Sequence, residues 1–136
     1  MGRAAAATER CMILVDTSIW IDHISQGFNE HLGFLLDGES VVMHAFVVGE
    51  IAMGSIKNRR AQLDFFDSLH KIPTAADHEV RLLVESARLH GTGLSFIDAH
   101  LLTAARASGD SEPVRVWTKD KGLRAEAERL GVAYAQ

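Results

Sequence analysis

Residues 12–15 read MILV, an unbroken apolar run, and Asp16-Thr17-Ser18 and then IWIDHIS follow at once. A short run that is apolar on every position predicts a strand covered on both faces, as in a parallel sheet beneath helices. The hydroxyls of Thr17 and Ser18 can cap the helix that continues as IWIDHIS, so the unit is strand, acid, helix. Asn29 to Leu36 predicts a second short helix closed near Gly38, and Val41 to Met43 a second strand feeding a helix that carries Glu50. Arg59 to Leu69 and Asp77 to Leu89 repeat apolar residues at helical spacing and are expected to form an antiparallel pair, with Gly91 and Gly93 ending the latter. Ile97 to Ala107 reads as a helix, Val114 to Trp117 as a buried strand, Lys121 to Leu130 as a helix stopped by Gly131, and Val132 to Tyr134 as a last strand. This alternation predicts an α/β fold: an αβα sandwich with a mainly parallel central sheet flanked by helices.

A chain of 136 residues is large enough to bury one core without disulfides, and its 47% apolar and 24% charged residues are those of a soluble globular domain. No apolar stretch approaches the roughly 20 residues of a membrane span. Cys11 is the only cysteine, which excludes an internal disulfide or a cysteine-built zinc site and suits a reducing cytoplasm. Residues 1–11 lack the apolar centre of a secretory signal and are expected to be a poorly ordered extension, leaving 12–136 as one domain. The formal net charge of −4 gives no overall attraction to nucleic acid, so any contact with phosphates must come from local patches.

In open parallel sheets, ligands bind beyond the carboxyl ends of the strands. Asp16 follows MILV there, and Asp120 follows VRVW by way of Thr118 and Lys119. Two further acids are expected to face inward from helices. Asp98 shares a face with Leu101, Leu102 and Ala105, and Glu50, in the otherwise apolar run VVMHAFVVGEIAMG, shares one with Phe46, Val47 and Met53. Four carboxylates meeting in a dry pocket repel one another by several kcal/mol unless a divalent cation neutralises them. Oxygen ligands without a histidine pair at ligand spacing select a hard ion, so Mg²⁺ or Mn²⁺ with activated water is the expected cofactor. A single acid has a plainer role open to it. Asp16 and Asp98 both sit where a carboxylate can cap a helix, and the seven histidines read as ordinary surface or core residues.

LVDTSIWID at 14–22, VVGEIAMG at 47–54, SFIDAHLLTAA at 95–105 and VWTKDKGLRAEAERLGVAY at 116–134 together resemble the PIN-domain nucleases, most closely the VapC toxins of bacterial toxin–antitoxin pairs. The resemblance implies a Mg²⁺- or Mn²⁺-dependent ribonuclease, a homodimer and a small VapB-type antitoxin. Carried over by position, the family's catalytic and metal-binding acids fall on Asp16, Glu50, Asp98 and Asp120. Thr17, Ser18 and Thr118 then orient carboxylates or waters. Lys57, Arg59, Arg60, Lys119 and Lys121 are the basic residues best placed to hold RNA phosphates. Two other classes share part of this pattern: a receiver-like or aspartyl phosphoryl-transfer domain with Asp16 as the phospho-acceptor, and a catalytically silent interaction module.

Overall fold

The computed structural model describes residues 11–109 and 112–135. Most of the expected extension, residues 1–11, lies outside them; Cys11 is half-buried against the edge of the core. Among the described residues the chain forms three strands and seven helices: β1 (Met12–Val15), α1 (Thr17–Ser25), α2 (Glu30–Asp37), β2 (Val41–Val42), α3 (Ala45–Ala52), α4 (Arg59–Ser68), α5 (Asp77–Ser86), α6 (Phe96–Ala107), β3 (Val114–Trp117) and α7 (Lys121–Arg129). The sheet is parallel with order β2-β1-β3. The strand apolar on every position therefore lies in the middle, where both edges and both faces are covered.

The strand order places a topological switch point at β1, because the chain leaves it to one side for β2 and returns to the other for β3. Register finishes the placement. Val15 pairs with Trp117, and the Asp16 amide extends the ladder to the Trp117 carbonyl at 2.9 Å. Asp16 and Thr118, the next residue on each strand, thus emerge side by side.

Ile13, Leu14 and Val15 of β1 are buried together with Ile19 and Trp20 of α1, and the Trp20 ring meets Phe66 of α4 at 5.0 Å. Leu101, Leu102 and Ala105 of α6 are buried too, and this helix packs against β3.

Several elements differ from their sequence reading. The helices around residues 60 and 80 do not pack chiefly on each other: α4 lies on α3 and α5 on α6. Helical periodicity shows which face is apolar but not which neighbour will cover it. Helix α5 stops at Ser86, not at Leu89, because Arg88 adopts a left-handed conformation (φ 56°) and the Leu89 amide bonds back to the Val84 carbonyl at 2.9 Å. Strand β2 ends at Val42, and Met43 instead bridges Lys71, a residue with no strand signal around it. Val132–Tyr134 contributes one bridge, Ala133 to Val116, rather than a strand.

Candidate active site

Asp16 is 7% exposed, and its carboxylate is fully engaged at the end of β1. Oδ1 accepts the Thr17 amide at 2.8 Å; Oδ2 accepts the Ser18 hydroxyl at 3.0 Å and the Thr118 hydroxyl at 2.7 Å. Of the caps the sequence offered here, Asp16 is the N-cap of α1, and the Thr17 and Ser18 hydroxyls serve carboxylates instead. Three donors on one buried carboxylate satisfy its oxygens and fix its orientation.

Thr118 is itself buried and doubly used, for its hydroxyl also accepts the Asp120 amide at 3.0 Å. Asp120 opens α7, accepting the Leu123 amide on Oδ1 at 2.9 Å, and is exposed. Asp98 lies in a reciprocal cap at the start of α6. Its Oδ2 accepts the Ser95 amide at 3.1 Å while Ser95 Oγ accepts the Asp98 amide at 3.0 Å. Half-buried, Asp98 has its carboxyl raised above the ordinary range, first by desolvation. The Ser95 bonds oppose that shift, and the charges of Asp16 and Asp120 add to it.

Glu50 departs from its expected inward position. It is exposed, because α3 turns Val47 and Ile51 to the core while Phe46 and Met53, on the face it was assigned, lie at the surface. An exposed carboxylate avoids the desolvation cost that an apolar run seemed to demand. It is still tied to the others, since the Thr17 hydroxyl donates to Oε1 at 2.7 Å. The helix that presents it starts at His44, whose Nδ1 accepts the Phe46 amide at 3.0 Å. Burial, and secondarily the nearby His100, lower His44 to a pKa of about 4, so it caps as the neutral ring.

Three of the acids thus share one electrostatic field, and the fourth joins through Thr17. None of the four is paired with a lysine or arginine among the described residues. No three acidic, imidazole or thiol groups among the described residues are gathered closely enough to hold an ion as they stand, and Asp98 and Asp120 each turn an oxygen toward a backbone amide. The donor set is all oxygen and its charge uncompensated, which fits a hard divalent ion.

The basic residues divide. Lys119 is bound by Asp22, an acid outside the expected set, and Arg59 donates to the carbonyls of Ala52 at 2.7 Å and Gly54 at 3.1 Å, closing the end of α3. Lys57, Arg60 and Lys121 are exposed and have no side-chain partner among the described residues. Two contributors escaped the sequence reading. Ser95 stands three residues before Asp98, a spacing that signals a reciprocal cap. Arg124 reaches the Thr118 carbonyl at 3.3 Å and is marked by no motif.

Comparison with known proteins identifies the chain's relatives. The PIN domain family matches residues 13–128. Ribonuclease VapC32 of Mycobacterium tuberculosis, in two strains, is 41% identical over 125 residues, covering 92% of this chain and 98% of the relative. Among solved structures, PAE2754 from Pyrobaculum aerophilum superposes with a TM-score of 0.60 at 18% identity, covering 89% of this chain and 96% of that one. FitAcB from Neisseria gonorrhoeae gives 0.61 at 20%, covering 90% and 95%. These two share the fold.

Proposed function

The chain belongs to the PIN-domain family, and from that premise we propose that it is a divalent-metal-dependent endoribonuclease of the VapC kind, the toxin of a toxin–antitoxin pair. The observation that carries this reading is Asp16, a buried carboxylate held by three donors at the sheet's switch point, with Asp98 close enough to feel its charge and that of Asp120. A phospho-acceptor or a silent binding module has no comparable support in the chain's relatives.

Asp16, Glu50, Asp98 and Asp120 are the residues that would hold Mg²⁺ or Mn²⁺. Such an ion supplies polarisation of the scissile phosphate and a lowered pKa for an attacking water. The protein's own part is to hold the acids in place and aimed. Ser18 and Thr118 fix Oδ2 of Asp16, Thr17 steers Glu50, and the Ser95 amide holds Asp98. Lys57, Arg60 and Lys121 are available to neutralise phosphates along the RNA. Lys119 and Arg59, already engaged, serve the frame.

The partners follow the same reading: RNA as substrate, a VapB-type antitoxin, and a second copy of the chain in a homodimer. Ile21, Ile24 and Ile56 line an apolar groove edged by Lys57 that suits an antitoxin segment. No helix among the described residues is long and apolar enough to cross a membrane, and the cytoplasm is the proposed compartment.

Cleavage of total RNA by the purified protein, with and without EDTA, tests the proposal. Metal-dependent cleavage is expected in the wild type and its loss by orders of magnitude in Asp16→Asn. Full activity of Asp16→Asn with Mn²⁺ present would sink the mechanism.

A further inference from the structure

Two phenylalanine rings lie open on the helices that carry Glu50 and Asp98. Phe46 is 36% exposed and Phe96 47% exposed, and each shares a helix with a site acid: Phe46 four residues before Glu50 on α3, Phe96 two before Asp98 on α6. Neither ring is loose. Both pack nearly perpendicular to the His100 imidazole, at centroid distances of 4.6 Å and 4.8 Å, and His100 is buried. Phe46 is braced a second time by His44 at 5.2 Å. Edge-to-face packing on a buried ring holds an exposed aromatic in one orientation, so a ligand laid against it meets a surface already in place.

We propose that Phe46 and Phe96 form a stacking platform for an unpaired base of the RNA substrate, seating one nucleotide beside the phosphate to be cleaved. The inference rests on the ribonuclease reading above. Its occupant follows from chemistry: Glu50 stands about one helical turn on from Phe46 and Asp98 lies in the first turn of the helix that Phe96 begins, so the negative field disfavours a phosphate here, whereas the uncharged face of a base is not repelled. Single-stranded RNA is commonly gripped by stacking on aromatic side chains, with the backbone held separately by basic groups. Here those basic groups are Lys57, Arg60 and Lys121. A platform of this kind selects for unpaired nucleotides, because a base inside a duplex cannot offer its face.

The test uses a fluorescent single-stranded RNA oligonucleotide that the wild type cleaves, and a set in which one abasic nucleotide is moved along it. Phe46→Leu and Phe96→Leu keep the apolar volume but remove the ring; Phe96→Trp keeps an aromatic face. The Leu variants are expected to raise KM about tenfold with kcat changed far less, and Phe96→Trp to remain near wild type. At one position the abasic substitution should cost the wild type a similar factor and the Leu variants nothing further. Unchanged KM in both Leu variants would overturn the platform. So would a loss that is equal for intact and abasic RNA at every position, or a loss that tracks a change of oligomeric state in sedimentation velocity, which would make the patch a protein interface. A wild type that cleaves no RNA would overturn the ribonuclease reading itself, and the platform with it.

Discussion

The Thr118 hydroxyl donates to Asp16 Oδ2 at 2.7 Å across 102 residues of chain, and at the same oxygen accepts the Asp120 amide at 3.0 Å. One buried hydroxyl therefore joins the end of β1 to the start of α7, because parallel register has brought Val15 level with Trp117. Thr118→Val conserves shape but leaves a carboxylate oxygen and an amide each short of a partner. A destabilisation of about 1–3 kcal/mol is expected in urea titration. Cleavage should fall yet stay measurable, since Asp16 keeps Thr17 and Ser18, and Thr118→Ser should restore both properties.

Asp98 links stability to pH in an unusual direction. Its carboxyl is raised by burial and then by Asp16 and Asp120, so the folded chain holds that proton more tightly than the unfolded chain does. Ionised Asp98 therefore costs stability at neutral pH, and the cost disappears as pH falls through the raised value toward the ordinary carboxylate range. Asp98→Asn removes the charge while its amide oxygen can still accept from Ser95. In EDTA, the variant is expected to melt at or above the wild-type temperature at neutral pH, the gap narrowing on acidification. A variant markedly less stable at pH 7 would make capping the main task of this residue.

The same repulsion predicts a gain on adding metal. Mn²⁺ or Mg²⁺ at about 100 times its dissociation constant should add roughly 2.7 kcal/mol, several degrees in Tm for a domain of this size. Asp16→Asn and Asp98→Asn should each lose most of that shift. Differential scanning calorimetry across a metal titration reads this directly, and an undiminished shift in both variants would move the ion elsewhere.

How much of this was legible in the chain depended on whether one residue or a neighbour decided the outcome. Strands β1 and β3 were readable because unbroken apolar runs are costly anywhere but in a covered sheet, and their ends pointed to Asp16 and Asp120. Glu50 was misplaced because α3 is apolar on nearly all sides, so its apolar companions could not say which face meets the core; Val47 and Ile51 do, Phe46 and Met53 do not. Met43 bridges Lys71 only because tertiary packing delivers that segment to the sheet edge. Likewise, nothing in the chain showed that Arg59, in a basic run, and Lys119, beside Asp120, are already engaged, since the carbonyls of Ala52 and Gly54 and the carboxylate of Asp22 come together only on folding.

That division of the cations is itself testable. Arg59 closes the carbonyl end of α3, where a positive group also meets the negative end of the helix dipole. Arg59→Ala should cost about 1 kcal/mol of stability and leave the salt dependence of RNA binding as it was. Lys57, Arg60 and Lys121 have no such duty, so their triple alanine variant should keep its Tm and bind RNA more weakly. For single-stranded RNA, each lost phosphate contact lowers the slope of log K against log salt by about 0.7, so the triple variant should lose roughly two units. Fluorescence anisotropy of an RNA oligonucleotide, with catalysis blocked by Ca²⁺ or EDTA, provides the slopes. Equal slopes for wild type and the triple variant would reduce these residues to a solvated face, and a lower slope in Arg59→Ala would return that residue to the RNA path.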